Sequence, residues 1–143
     1  MIKANDFALL LLRIALGVVF LVHGGQKLFG WWGGPGLDGF VTGMGSMGVP
    51  APLAYLAVFT EFFGGAALIV GLFSRLAAAG LAVTMGVAMF KVHLANGFLL
   101  SNEGGGFEYT FVLLLASVAM LIAGPGRLAI GDLEARVLGR SNN

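Results

Sequence analysis

Six ionisable side chains lie within or beside long apolar stretches of this sequence, where charge is costly: Arg13, His23, Lys27, Glu61, His93 and Glu108. On insertion scales an ionisable group in hydrocarbon costs at least about 2.5 kcal/mol, so such groups usually face the protein interior and serve a purpose. Imidazoles and carboxylates exchange protons, while Lys and Arg supply positive charge. The set therefore predicts a polar site inside an apolar protein.

We expect His23, Glu61 and His93 to be the catalytic residues of this site. The two imidazoles would donate to, or exchange protons with, the headgroup of a ligand, and Glu61 would be the buried proton acceptor. Arg13 would pair with Glu61 and hold it ionised or oriented, because buried charges in proteins are paired. Arg13 is therefore assigned to the residues that support ligand binding.

Lys27 and Glu108 complete the predicted ligand-binding group. At about 100° per residue, Arg13, His23 and Lys27 fall within an arc of roughly 120°, so they share one face of the first helix. Glu108 stands at the start of the last long apolar stretch, and it would control access from the outward surface.

An amphipathic ligand with a polar head and an apolar tail suits such a site. A quinone headgroup needs a hydrogen-bond donor or a proton-transfer group at each carbonyl, and His with Glu supplies both. Haem b, ligated by His23 and His93, is an alternative cofactor. The same residues also have structural interpretations, since an Arg–Glu pair or a hydrogen-bonded imidazole can simply stabilise a fold, and Glu108 can complement a helix dipole.

The composition indicates a membrane protein. The 143 residues are 58% apolar and 10% charged, against about 45–50% and about 25% in soluble domains. The net charge of +1 shows no basic excess that would neutralise phosphates, so nucleic acid is not an expected partner. Because the chain has no cysteine, it lacks thiol chemistry, Cys-ligated zinc and iron–sulfur ligands of its own, and no metal site is predicted.

Four apolar stretches are long enough to cross the hydrocarbon of a bilayer, which takes about 17 to 25 helical residues. They cover residues 7–28, 51–73, 76–95 and 107–123. We therefore predict an all-α fold, an integral membrane four-helix bundle that occupies residues 1–143 as a single domain.

Positive charge predicts the orientation of the bundle. Lys and Arg concentrate in short loops on the cytoplasmic side of a membrane. The side shared by both termini carries Lys3, Arg75, Arg127, Arg136 and Arg140. Both termini are therefore predicted to be cytoplasmic.

The depth of each ionisable residue along its span predicts which side chains can meet. Measured from the cytoplasmic side at about 1.5 Å per residue, the depths are about 9 Å for Arg13, about 15 Å for Glu61, and about 24–25 Å for His23 and His93. The difference of about 6 Å between Arg13 and Glu61 is within reach of an Arg side chain. Lys91 and His93 lie about 200° apart on a continuous helix, so we expect His93 to point inward and Lys91 to extend to the lipid headgroups.

The loop between the first two spans is rich in glycine and contains Trp31 and Trp32. Within it, Leu37, Phe40 and Met44 recur at helical spacing. This pattern predicts a short helix over residues 37–47 that lies in the membrane interface and is anchored by the tryptophans. A flexible glycine-rich loop is the alternative.

Several motifs, taken in order, resemble those of the DoxX family of small four-helix membrane proteins. They are Leu12-Arg13-Ile14, Gly17, Phe20, His23-Gly24, Lys27-Leu28, Gly48-Val49-Pro50, Glu61, Gly64-Gly65, Gly71-Leu72, Ser74-Arg75, His93, Gly106-Phe107-Glu108-Tyr109, Gly124-Pro125-Gly126 and Asp132. The resemblance covers about residues 8–132, and it implies an oxidoreductase subunit or accessory protein of the bacterial cytoplasmic (inner) membrane. Relatives are linked to thiosulfate:quinone oxidoreduction and to quinone or thiol stress, but without cysteine a thiol step would need a partner protein.

Two functions follow from these patterns as hypotheses. The first is a redox-associated membrane protein, or a subunit of a quinone-linked oxidoreductase, that binds quinone in the outward half of the bundle. The alternative is a non-catalytic accessory subunit that packs against a larger membrane complex through glycine-rich helix faces. Both expect lipid and other membrane or membrane-associated redox proteins as partners, with a homo-oligomer as a further option. A proton-coupled transporter is a third interpretation, which the lack of an evident inverted repeat does not favour.

Overall fold

The computed structural model of the chain describes residues 2–131, and over this range it is all-helical, as predicted. Five α-helices follow one another: α1 Ala4–Phe29, α2 Gly36–Ser46, α3 Ala51–Val70, α4 Ser74–Ala88 and α5 Glu108–Ala123. A π-helical turn, Met89–His93, and a 3₁₀ turn, Leu94–Asn96, continue α4. The predicted cytoplasmic C-terminus, with Arg136 and Arg140, lies outside the described residues, as does Asp132.

Three helical segments are long and apolar enough to cross a membrane: Ala4–Phe29, Ala51–Val70 and Ser74–Asn96. The fourth predicted span corresponds to the shorter apolar helix Glu108–Ala123, of 16 residues. The second span ends at Val70 rather than at residue 73, because Gly71 adopts the left-handed conformation that closes a helix. That all four helices cross the bilayer stays a prediction.

Helices α1 and α3 pack against each other most extensively, and glycines allow the close approach. A Cβ placed on Gly24 would come 2.5 Å from the backbone nitrogen of Phe62, and one on Gly65 would come 2.5 Å from that of Leu21. A real side chain at either position would therefore push the two helices apart. These contacts fix the register of α1 on α3, which decides what Lys27 and Glu61 can reach.

The remaining helices complete one bundle. α4 packs on α3, and α5 packs mainly on α4. The shared core contains buried apolar residues of all four long helices, among them Leu16, Phe20, Leu68, Leu81, Leu113 and Met120. The predicted short helix is present as α2, and its Met44 packs with Val49 and Ala54, next to Val92 beyond α4. Its location in the membrane interface stays a prediction.

The start of α1 and the end of α5 lie at the same end of the bundle, here called the terminal end. An oxygen of the Asp6 carboxylate accepts a hydrogen bond of 3.0 Å from the backbone N–H of Arg127. The opposite end, called the loop end, carries α2 and the loop of residues 97–107. Under the orientation predicted from charge, the loop end faces outward.

Candidate functional site

A buried ion pair joins α1 to α3 towards the loop end. The Nζ of Lys27 donates to both carboxylate oxygens of Glu61 at 2.6 Å. Glu61 is 1% exposed and Lys27 is 22% exposed. The ring centroid of Phe40, from α2, lies 5.0 Å from the same Nζ, and this cation–π contact covers the ammonium group.

The predicted pairing of Arg13 with Glu61 is wrong, because Glu61 binds Lys27 instead. The guanidinium of Arg13 lies beside Gly71, while Gly24 lies beside Phe62. Since Glu61 precedes Gly71 by ten residues, it lies about 15 Å further along α3 than the level of Arg13. The depth estimate failed because it placed each span independently in the bilayer, whereas the glycine contacts set the two helices in register.

Arg13 instead holds the segment that follows α5. Its side chain is 2% exposed, and its two terminal nitrogens donate to the carbonyl of Pro125 at 3.0 Å and to that of Leu128 at 2.8 Å. Charge-assisted bonds of this kind are stronger than neutral ones. The contacts of Arg13 therefore fasten the terminal end, and none of them supports its predicted role in ligand binding.

A histidine–tyrosine pair lies next to the ion pair. The Nε2 of His23 and the hydroxyl of Tyr109 share a hydrogen bond of 3.1 Å, with ring centroids 5.8 Å apart. His23 lies one helical turn before Lys27 on α1, which places this pair beside the ion pair. Sequence reasoning gave Tyr109 no role. Its position at the start of the fourth apolar stretch, at nearly the depth of His23, was the signal that could have identified it.

His93 and Glu108 both hold the loop of residues 97–107. The Nδ1 of His93 lies 2.9 Å from the carbonyl oxygen of Gly105, and a Glu108 carboxylate oxygen accepts a hydrogen bond of 2.6 Å from the N–H of Leu100. The side-chain amide of Asn96 also donates hydrogen bonds to the carbonyls of Gly104 and Gly105. Glu108 therefore contacts the loop of residues 97–107, and its control of access stays a prediction.

The structure brings together three of the six predicted residues, namely His23, Lys27 and Glu61, and adds Tyr109. Among the described residues, no hydrogen bond joins His93 to this cluster. The π-helical turn carries both Lys91 and His93, with Lys91 exposed and His93 half-buried; that Lys91 extends to the lipid headgroups stays a prediction. The group formed by His23, Lys27, Glu61 and Tyr109 is called the polar cluster below.

The geometry gives no support to the haem alternative. A bis-histidine haem needs one nitrogen from each imidazole directed at a common centre. Here the Nε2 of His23 is bonded to Tyr109, whereas His93 bonds the loop carbonyl of Gly105 through its Nδ1, and over residues 2–131 no hydrogen bond or ring contact relates the two imidazoles to each other. Over residues 2–131, no group of three or more His, Asp or Glu side chains could hold a metal ion.

Chemically, the polar cluster combines a fixed charge pair with two groups that both donate and accept hydrogen bonds. A phenol hydroxyl can accept one hydrogen bond while donating another, and a neutral imidazole has one donor and one acceptor nitrogen. The buried carboxylate behind them carries a charge that Lys27 balances. Such an arrangement can bind and orient an oxygen-bearing headgroup and move a proton to or from it.

Comparison with known proteins points to one family. The DoxX family matches residues 8–94. A protein of Bacillus subtilis named "Putative oxidoreductase CatD" is 32% identical over 128 residues, which cover 90% of this chain and 87% of that protein. The "Inner membrane protein YphA" of Escherichia coli is 29% identical over 132 residues, which cover 89% of this chain and 90% of that protein. No solved structure matches the chain.

Proposed function

The chain belongs to the DoxX family, and from that premise we propose that it is a redox-associated protein of the bacterial inner membrane that binds a quinone headgroup at the polar cluster. The observation that carries the proposal is the buried Lys27–Glu61 pair beside the His23–Tyr109 hydrogen bond. Three helices long enough to span a bilayer and the name of the E. coli relative support the location. The name of the B. subtilis relative supports the redox assignment.

A quinone matches the cluster in both polarity and proton demand. Its carbonyl oxygens accept hydrogen bonds, which His23 and Tyr109 can donate, and its apolar tail requires a lipid-facing protein. Reduction of a quinone to a quinol takes up two electrons and two protons. The residues of this chain would bind the headgroup and hold protons, with Glu61 as the buried acceptor, while a partner redox protein would exchange the electrons.

His93 and Glu108 belong to this proposal as residues that position the outer loop. Both hold the loop of residues 97–107 close to the start of α5, where Tyr109 lies. We therefore expect their replacement to alter ligand access more than proton transfer. Under the predicted orientation, with both termini cytoplasmic, the loop and the polar cluster lie in the outward half of the membrane.

Binding of a short-chain ubiquinone to the purified protein in lipid nanodiscs tests the proposal. The double variant Lys27→Gln/Glu61→Gln removes both charges without leaving either one unpaired. We expect it to lower the affinity by about 13- to 160-fold, the effect of losing one charge-assisted hydrogen bond of about 1.5–3 kcal/mol. His23→Gln, which keeps a hydrogen-bonding group but does not titrate near neutral pH, should reduce the pH dependence of binding near neutral pH.

The matched control is Glu103→Gln, which removes an exposed carboxylate of the outer loop. It should bind ubiquinone like the unsubstituted protein. Unchanged affinity and unchanged quinone-linked activity in membranes for both the charge-pair variant and His23→Gln, in correctly folded protein, would refute the proposal. The non-catalytic accessory subunit would then be the better interpretation.

A further inference from the structure

The junction of α1 with α5, here called the α1–α5 seam, is loosely packed. α1 packs mainly on α3 and α5 mainly on α4, whereas α1 and α5 make far fewer contacts with each other. Hydrogen bonds connect the two sides of the seam at two levels along the bundle. Arg13 bonds the carbonyls beyond α5 at the terminal end, and His23 bonds Tyr109 towards the loop end.

We propose that the ligand headgroup enters sideways from the lipid through the α1–α5 seam, and that the hydroxyl of Tyr109 is its first hydrogen-bonding partner. This inference rests on the proposed quinone-binding function and adds to it a route and a residue. Tyr109 is 37% exposed, whereas Glu61 is 1% exposed. Tyr109 is thus the member of the polar cluster that a molecule dissolved in the bilayer meets first.

The hydrogen bond to His23 prepares Tyr109 for this role. When the Nε2 of His23 carries its proton, the imidazole donates to the phenol oxygen and leaves the phenol O–H directed elsewhere. That O–H can then donate to a quinone carbonyl. His23 lies one helical turn from Lys27 on α1. Tyr109, His23 and the Lys27–Glu61 pair therefore follow one another from an exposed side chain to the buried carboxylate.

Aliphatic side chains lie next to the His23–Tyr109 pair, on the side of the terminal end. Helical spacing places Val19 one turn from His23 and Val112 one turn from Tyr109, both on the side of the terminal end. Val112 is 60% exposed, and Val19 is half-buried against the core. A ligand headgroup could therefore bind the hydroxyl of Tyr109 while its tail extends along Val19 and Val112 towards the terminal end.

Entry from the water at the loop end is less favourable because that side of the cluster is covered. The Phe40 ring lies over the ammonium of Lys27, and α2 is packed onto the start of α3 through Met44, which contacts Ala54 and the connecting Val49. A headgroup that enters from the loop end would have to displace α2. Entry through the seam requires only that it reach the exposed edge of Tyr109.

Tyr109→Phe is the direct test, since it removes the hydroxyl and keeps the ring. In nanodiscs we expect a short-chain ubiquinone to bind about 2- to 13-fold more weakly, as expected for one neutral hydrogen bond. Because the natural chain lacks cysteine, a single Val112→Cys variant can also be labelled cleanly with a bulky maleimide. The label should block the seam and abolish ubiquinone binding.

Ile122→Cys with the same label is the matched control, since Ile122 is also exposed on α5 but lies about 20 Å from Tyr109 along the helix. It should bind ubiquinone normally. An isoprenoid alcohol with the same tail should compete poorly, because it lacks the ring carbonyls. If it competes as well as ubiquinone, the seam recognises only the tail and the role of Tyr109 is wrong.

The two proposals fail in different ways. If the unsubstituted protein does not bind ubiquinone at all, the proposed function is wrong, and the inference that rests on it falls with it. If it binds ubiquinone, while Tyr109→Phe and labelled Val112→Cys bind equally well, the function stands and the lateral route is overturned.

Discussion

The pairing of Lys27 with Glu61 makes a quantitative prediction that a double-mutant cycle can test. Lys27→Met leaves a carboxylate that is 1% exposed without its partner, and breaking a buried pair in this way costs about 3–5 kcal/mol of unfolding free energy. Glu61→Gln should cost less, about 1–3 kcal/mol, because the Lys27 side chain is 22% exposed and can turn towards the surface. The double variant leaves no unpaired charge and should recover much of the loss.

The cycle therefore predicts a coupling of about 2 kcal/mol or more between Lys27 and Glu61. The corresponding cycle with Arg13→Gln and Glu61→Gln should be additive within about 0.5 kcal/mol, since the two residues lie at levels about 15 Å apart. Equilibrium unfolding by sodium dodecyl sulfate in mixed micelles, followed by circular dichroism, measures both. Additivity for Lys27 with Glu61, or strong coupling for Arg13 with Glu61, would refute the register described above.

Three further predictions concern packing, the outer loop and the orientation. Gly43→Ala in α2 has open space for the new methyl group and should stabilise the protein by about 0.5–1 kcal/mol. Gly24→Ala places a methyl group against the α3 backbone and should destabilise the protein by about 1–3 kcal/mol. Thermal unfolding in detergent distinguishes the two outcomes. Asn96→Ala removes the side-chain hydrogen bonds to the carbonyls of Gly104 and Gly105, so hydrogen–deuterium exchange over residues 97–107 should become faster. A reporter that is active only in the periplasm should be inactive when fused after Asn143, and activity there would contradict the cytoplasmic assignment of the C-terminus.

Much of the fold could be predicted because membrane spans leave a strong sequence signal. Runs of apolar residues with Gly or Pro at their ends place α1, α3, the α4 segment and α5 to within a few residues. The short helix α2 was also predicted, from the spacing of Phe40 and Met44. These features depend on local sequence, so one chain is sufficient to recognise them.

The candidate site was predicted less completely because it depends on contacts between helices. His23, Lys27 and Glu61 were among the six residues selected because charge at membrane depth is costly, and the structure brings these three together, whereas it places Arg13, His93 and Glu108 elsewhere. The predicted partner of Glu61, Arg13, was wrong, because a uniform depth scale contains no information about the register of α1 on α3. Tyr109 was missed because a tyrosine near the end of a span is ordinarily an interfacial anchor, and only the structure shows its bond to His23.

The close approach of α1 to α3 and the ion pair depend on each other. Gly24 lies three residues before Lys27 on α1, and its partner Phe62 directly follows Glu61 on α3. The glycine that lets the two backbones meet is thus about one helical turn from the ammonium that bonds Glu61. Any side chain at Gly24 would separate the helices at the level where the carboxylate must be neutralised. A small residue at this position is therefore required for the polar cluster as well as for packing, and Gly24→Ala should weaken ubiquinone binding together with stability.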